Sequence, residues 1–263
     1  MADLAALLDD FAAECADLES LVAPLTPAQW QTATPSPGWD ITTQIAHLTW
    51  TDEVSVLAAT DGDTFAKLLA EAAPKMFTFV DEAAEEVART PPAELLERWR
   101  AGRAELIAAL AAVPAGTKLP WFGPPMSPAS MISARIMETW AHGQDVADAL
   151  GVERTPTARL RTVAHISVRT RNFAYTVHGQ SGPTEEIRVE LTAPDGSLWT
   201  WGPEDAKQRV SGPAVDFCLL TTQRRHRDDA ALVTEGPDAE HWLTIAQAFA
   251  GPPGAGREAG QFA

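Results

Sequence analysis

The chain has 263 residues, more than a single core usually supports, so its length favours two domains. Its net charge of −16 argues against a nucleic-acid partner, because phosphate binding needs a clustered basic face. The N-terminus is acidic, the apolar runs are short, and Cys15 and Cys218 stand alone. We therefore expect a cytoplasmic protein with no signal peptide, membrane segment or disulfide framework.

The first 150 residues carry the pattern of a helix bundle. Leucine and phenylalanine recur at helical spacing from about residue 3 to residue 23. After the loop TPSPGW, Asp40 is the predicted N-cap of a helix that runs to about Ala59. The stretch 64–112 is rich in alanine, glutamate and leucine but is broken near the prolines at 91–92, which predicts one helix or two. Ser127 followed by Pro128 opens a further helix that reaches about residue 150.

The residues after Gly151 have a different texture. Residues 186–192 alternate polar and apolar side chains, and a Pro-Asp-Gly turn leads to a returning strand at 197–201, which predicts a hairpin. Beyond it the pattern predicts a helix over 212–222, a short strand near 232–234 and a helix over 238–249. The predicted organisation is a helical domain over 1–152, an α/β domain over 153–250 and a disordered tail over 251–263.

The helix that begins at Ser127 carries Glu138 and His142, which are four residues apart and so share one face. His47, from the helix that follows Asp40, would complete a His-His-Glu set that holds a divalent metal and leaves a position open. Such a pair is also common by chance. Asp145 lies one turn after His142, where it could accept a hydrogen bond from that ligand or form a structural salt bridge, and the spacing leaves both open.

Two segments, PSPGWDITTQIAHLTWTDE and MISARIMETWAHGQDVADALG, resemble the N-terminal domain of the mycothiol-dependent maleylpyruvate isomerase family, a branch of the DinB-like metal-binding four-helix bundles. The resemblance covers most of residues 1–150. It implies that His47, Glu138 and His142 bind a divalent metal, usually taken as zinc, and that mycothiol is the cosubstrate. It also implies an α+β protein, in which a four-helix bundle precedes a small sterol-carrier-like α/β domain.

The segment GPAVDFCLLTTQRR, at residues 212–225, resembles the family's C-terminal helix that ends in an arginine reaching the active site. Arg224 or Arg225 would be that arginine, and the resemblance does not choose between them. The charge distribution agrees, because residues 1–150 have a net charge of −14 and residues 151–263 only −2. The run QRRHRDD at 223–229 departs from the simpler family pattern, which puts maleylpyruvate in doubt as the substrate and indicates an actinobacterial branch of its own.

Three functions follow as hypotheses. The first is a thiol-dependent isomerase or S-transferase acting on a small, anionic metabolite. The second keeps the metal without a thiol, as an isomerase, lyase or hydrolase. The third is a non-enzymatic metabolite- or lipid-binding protein in which the metal is structural. In each case we expect a small-molecule ligand, no nucleic acid, no membrane, and a monomer or homodimer.

Overall fold

The computed structural model describes residues 3–75 and 78–262, and the chain divides into two compact units at residues 1–153 and 154–263. The helices of the first unit are α1 (Leu4–Val22), α2 (Ile41–Thr60), α3 (Gly62–Ala72), α4 (Phe79–Val87), α5 (Pro92–Ala112) and α6 (Pro128–Leu150). The four long ones form a bundle in which α2 packs against α5 and α6, and α1 packs against α6. Because α2 and α6 are neighbours, polar residues on their facing sides can meet.

The helices begin where their capping residues lie. The Asp40 side chain accepts a hydrogen bond of 2.8 Å from the Thr43 amide and starts α2. Ser127 caps α6 in the same way, with proline in the first turn, and α6 ends at Gly151, whose φ of 65° is the left-handed conformation typical of a helix C-terminus. Both of the helices that carry the proposed metal ligands are therefore delimited by local sequence.

The stretch 64–112 differs from the expectation of one or two helices, since three α-helices cover it. A short 3-10 turn at Ala73–Lys75 follows α3, where Pro74 cannot donate a helical hydrogen bond. The prolines at 91–92 separate α4 from α5, as predicted.

The second unit contains a small mixed sheet with helices. Its elements are α7 (Leu160–Arg169), α8 (Arg171–Val177), β1 (Ile187–Thr192), β2 (Leu198–Trp201), β3 (Gln208–Pro213), α9 (Ala214–Thr221), β4 (Val233–Glu235) and α10 (Pro237–Ile245). The strand order is β2-β1-β3-β4, with β1 antiparallel to β2 and parallel to β3. The predicted hairpin is present in the register that pairs Val189 with Trp201. The α+β class is confirmed.

Several elements of this unit differ from the sequence prediction. No element was predicted for α7, α8 or β3. The expected helix over 212–222 begins only at Ala214, because Gly212 and Pro213 still pair with β1. The last helix ends at Ile245 instead of residue 249. In the tail, the Gly260 amide donates to the Asp229 carboxylate at 2.9 Å, while disorder of 251–263 stays a prediction.

The core of the first unit is mainly apolar, and most of its buried polar side chains lie on α2 and α6, with Glu14 on α1 in addition. Its large, fully buried members include Phe11, Leu18, Ile41, Ile45 and Trp99. Within the described ranges 3–75 and 78–262, none of the helices combines the length and the apolar character needed to cross a bilayer.

Candidate metal centre

Three side chains from two helices meet at one point of the bundle. His47 lies in the middle of α2, and Glu138 and His142 lie one turn apart on α6. One ligand atom from each lies within 4.8 Å of the others. Among the described residues, these three are the potential metal-ligating side chains that lie close enough together to hold one ion. The structure thus brings together the three predicted metal ligands, and metal binding itself stays a prediction.

The distances in this group match those between ligands of one ion. His47 Nε2 lies 3.3 Å from Glu138 Oε2, and His142 Nε2 lies 3.2 Å from the same oxygen. Zinc bonds of about 2.0–2.1 Å in a tetrahedron place neighbouring ligand atoms about 3.3 Å apart. The centroids of the two imidazole rings are 4.5 Å apart, so both rings face the carboxylate. This donor set of two nitrogens and one oxygen fits a divalent cation such as zinc.

Glu138 has the most exposed side chain of the three. The side chain of Glu138 is 22% exposed, whereas those of His47 and His142 are 9% and 12% exposed. Burial raises the pKa of the Glu138 carboxyl, but the hydrogen bonds and charges of His142 and His47 outweigh that effect and hold the pKa well below its usual range. The carboxylate is therefore ionised at neutral pH and available as a ligand.

The loop before α2 covers the two histidines. The Trp39 ring stacks on His142 with a centroid distance of 5.8 Å and an interplanar angle of 19°, and it lies 5.4 Å from the His47 ring. In the same loop, Ser36 donates a hydrogen bond of 3.0 Å to Asp145 on α6. The indole therefore shields the imidazoles while the Ser36–Asp145 bond ties the loop to α6.

Gln44 occupies the position next to the second nitrogen of His142. Its Oε1 lies 2.5 Å from His142 Nδ1, and its Nε2 donates to Thr34 Oγ1 at 2.9 Å. Gln44 is fully buried. Asp145, for which the sequence suggested an orienting role, is also fully buried and accepts from Ser36, so its action on His142 stays a prediction.

A second polar cluster lies beside the centre. Arg135 Nε donates to Asp52 Oδ1 at 2.8 Å, and both side chains are almost completely buried. Burial raises the pKa of the Asp52 carboxyl, and Arg135 opposes that rise by its charge and hydrogen bond. Arg135 lies one turn before Glu138, so this ion pair joins α2 to α6 close to the metal ligands.

The predicted substrate-binding arginines lie in the second unit, directly after α9. The Gln223 amide donates to Leu220 O and the Arg224 amide to Leu219 O, which is the pattern of a Schellman motif. Gln223 has a φ of 62°, in a position usually occupied by glycine. Arg225 lies over the Phe262 ring at 4.2 Å. The contact of either arginine with a substrate stays a prediction.

Sequence reasoning did not identify Gln44, Thr34 or Arg135 as parts of the centre. A signal for Gln44 was available, since it lies three residues before His47 and so on the same helix face. Thr34 had no such signal, because its contact depends on the path of the loop. The Asp52–Arg135 pair spans 83 residues, and no local pattern predicts it.

Comparison with known proteins gives a family match and two relatives. A family model described as the mycothiol maleylpyruvate isomerase N-terminal domain matches residues 11–147, and one described as wyosine base formation matches residues 183–235. The uncharacterized proteins Rv0036c and MT0041 of Mycobacterium tuberculosis, from strains H37Rv and CDC 1551, are each 55% identical to this chain. The alignments cover 98% of this chain and all of each relative.

The fold is also found in solved structures. A crystal structure of the mycothiol-dependent maleylpyruvate isomerase, and one of a histidine-to-alanine mutant of that enzyme, each superpose with a TM-score of 0.60. Each match covers 90% of this chain and 95% of the solved chain, with 17% sequence identity. At this identity the match establishes a shared fold.

Proposed function

The chain belongs to the mycothiol maleylpyruvate isomerase N-terminal domain family, and from that membership we propose that it is a divalent-metal-dependent enzyme acting on a small metabolite. Its cosubstrate is a thiol, mycothiol, and its reaction is an isomerisation or an S-transfer. The observation that carries the proposal is the group of His47, Glu138 and His142, in which each histidine Nε2 lies 3.2–3.3 Å from the carboxylate oxygen and all ligand atoms lie within 4.8 Å of one another.

Three protein ligands are the number typical of a catalytic centre, since a structural zinc site is usually closed by four. His47 and His142 would supply nitrogens and Glu138 an oxygen, and the proposed cation is Zn²⁺. When bound, this cation would stabilise the thiolate form of a thiol near neutral pH and so provide the nucleophile. We propose that the thiol and substrate approach along Glu138, the most exposed of the three side chains.

Residues other than the three proposed metal ligands support this chemistry. Trp39 excludes water from the faces of both imidazoles. Arg224 or Arg225 is proposed to bind a carboxylate of the substrate, because a guanidinium forms paired, charge-assisted hydrogen bonds with that group. Cys15 and Cys218 are not candidates for the nucleophile, since both thiols are buried and burial raises their pKa.

The proposal is tested with purified full-length protein loaded with Zn²⁺ and assayed on maleylpyruvate and related unsaturated acids, with and without mycothiol. We expect turnover only when the thiol is present. We expect none in the His142→Ala variant, and unchanged turnover in His178→Ala, which removes an exposed imidazole of the second unit. Alanine at Arg224 and Arg225, one at a time, should raise KM for the acid in one of the two variants.

Other results would point to the other hypotheses. Turnover without any thiol would replace the proposal with a metal-dependent isomerase, lyase or hydrolase. A protein that retains ligand binding after chelation, and loses only thermal stability, would have a structural metal and no thiol chemistry. A metal content below about a tenth of an ion per chain after reconstitution, with normal folding, would contradict every metal-based function.

A further inference from the structure

Gln44 makes a contact that has a chemical consequence for the metal centre. Its amide lies between two groups, with Oε1 at His142 Nδ1 and Nε2 at Thr34 Oγ1. The Thr34 hydroxyl has a single proton, and a hydrogen bond of 2.8 Å to Trp39 O uses it. Thr34 Oγ1 is therefore an acceptor toward Gln44, and the Gln44 amide nitrogen must point at it.

The opposite orientation of the amide would lose a bond. If Gln44 Oε1 faced Thr34, the threonine hydroxyl would have to donate to Gln44 and would release Trp39 O. The observed orientation satisfies the hydroxyl, both ends of the amide and the imidazole at once. Because the side chain of Gln44 is fully buried, water cannot substitute for a missing partner without cost.

This chain of bonds determines where the proton of His142 lies. An amide oxygen can only accept, so His142 Nδ1 must carry the hydrogen. In the neutral ring Nε2 then has a lone pair, and that lone pair faces Glu138 Oε2 at 3.2 Å. Two lone pairs at this distance repel each other unless a proton or a metal cation lies between them.

We infer that Gln44 is a positioning residue, which holds His142 in the Nδ1–H tautomer and thereby sets the affinity of the centre for its metal. His47 provides the contrast. Its Nδ1 is buried and has no hydrogen-bond partner among residues 3–75 and 78–262, so no acceptor holds a proton at that nitrogen. The inference deepens the proposed function, since it concerns the same centre, but it requires neither mycothiol nor turnover.

The first test reads the tautomer directly. Long-range proton–nitrogen NMR spectra of the metal-free protein, labelled with ¹⁵N-histidine, distinguish protonation at Nδ1 from protonation at Nε2. We expect Nδ1 of His142 to carry a proton in the wild type, either in the neutral ring or in an imidazolium that also donates to Glu138, and to lose this preference in Gln44→Leu. A wild-type His142 ring without a proton at Nδ1 would overturn the inference.

The second test measures Zn²⁺ affinity by competition with a chromogenic chelator. Loss of a hydrogen-bond partner behind a histidine ligand typically weakens metal binding by about 10–100-fold, which is the change expected for Gln44→Leu. Gln44→Glu, whose carboxylate still accepts from Nδ1–H, should retain the tautomer and at least the wild-type affinity. Gln144→Leu is the matched control, because it removes a buried amide two residues from His142 that donates to Asp148 instead.

The outcomes separate this inference from the proposed function. Wild-type affinity in Gln44→Leu, or an equal loss in Gln144→Leu, would overturn the positioning role whatever the enzyme does. If Gln44→Leu fails to fold by circular dichroism, retained tautomer and affinity in Gln44→Glu still support the role, and their loss rejects it. Normal tautomer and zinc affinity without thiol-dependent turnover would reject only the proposed function.

Discussion

The interface between α2 and α6 holds two buried polar clusters that differ in how their charge is balanced. In one, Asp52 is paired with Arg135, and the protein supplies both charges. In the other, Glu138 lies between two imidazoles, and the described residues contain no lysine or arginine paired with it. The contrast yields a prediction: this helix pair balances its own charges at Asp52 and Arg135, and under the proposed function it needs an external cation at Glu138.

The largest expected effect comes from breaking the self-neutralised cluster. Arg135→Met leaves a buried carboxylate without its partner, which typically costs about 3–5 kcal/mol. The free energy of unfolding of the first unit should fall by that amount, measured by native-state hydrogen exchange of the α2 and α6 amides.

The control for Arg135→Met removes both charges. The double variant Asp52→Leu with Arg135→Met should recover most of the lost stability, because replacing a buried ion pair with apolar groups is often neutral. A loss below about 1 kcal/mol in the single variant would show that the ion pair contributes little to the packing of α2 against α6. That result would contradict the proposed contrast between the two clusters.

The second prediction concerns the cation-dependent cluster. Zn²⁺ at about 1,000 times its dissociation constant should stabilise the folded first unit by about 4 kcal/mol, because only the folded state brings the three ligands together. The measurement is the thermal midpoint with and without metal, and His142→Ala should abolish the shift. An equal shift in His142→Ala would mean that the cation binds elsewhere.

A smaller effect is expected at a carboxylate on the rim of the same bundle. Glu19 on α1 accepts hydrogen bonds from Arg100 and Arg103 on α5. The Arg100 hydrogen bond, with help from Arg103 and against the effect of burial, lowers the pKa of the Glu19 carboxyl. The folded pKa is below the unfolded one, so this stabilisation is present above about pH 4.5 and is lost as the pH falls through the folded pKa.

Glu19→Gln should therefore cost about 1 kcal/mol at pH 7, since solvent partly screens the charges of Glu19 and its two arginines. The difference between wild type and variant should disappear in acid, measured by urea unfolding across pH. A difference that persisted below the folded pKa would assign the stabilisation to packing and not to charge, unlike the buried pair.

The smallest expected effect is at Gln223, which lies outside the interface between α2 and α6. Gln223 adopts a left-handed conformation that costs a non-glycine residue about 1 kcal/mol, so Gln223→Gly should stabilise α9 by about 0.5–1 kcal/mol. Slower hydrogen exchange of the α9 amides would report it, with and without Zn²⁺. Faster exchange would indicate that the glutamine side chain stabilises the turn.

Local signals predicted much of this fold. Asp40 and Ser127-Pro128 marked the starts of α2 and α6, and alternation with a Pro-Asp-Gly turn marked the hairpin. The strand β3 was missed because its pairing with β1 is parallel and non-local, and because its glycine and proline are unfavourable in strands. The helix α7 was missed although Leu160, Val163 and Ala164 are spaced for one buried face.

For the centre, the sequence predicted the three residues that meet but not what surrounds them. An i, i+4 pair is local, so its shared face follows from helix geometry alone. The helix pattern offered His47 only as a candidate third ligand, and a family resemblance then assigned it to the set, because no local rule relates residues that are 91 positions apart. The roles of Gln44 and Thr34 depend on side-chain rotamers and on the path of the 32–40 loop, which only tertiary packing determines.

The separation of 91 residues between His47 and Glu138 also bears on folding kinetics. In the unfolded chain only Glu138 and His142 are close, and closing the long loop to His47 costs entropy that a two-ligand contact cannot offset. If the helices dock before the cation binds, the cation stabilises the native state but not the folding transition state. Bound metal should then slow unfolding while leaving the folding rate nearly unchanged, so that the metal-bound protein stays folded for longer than the metal-free protein.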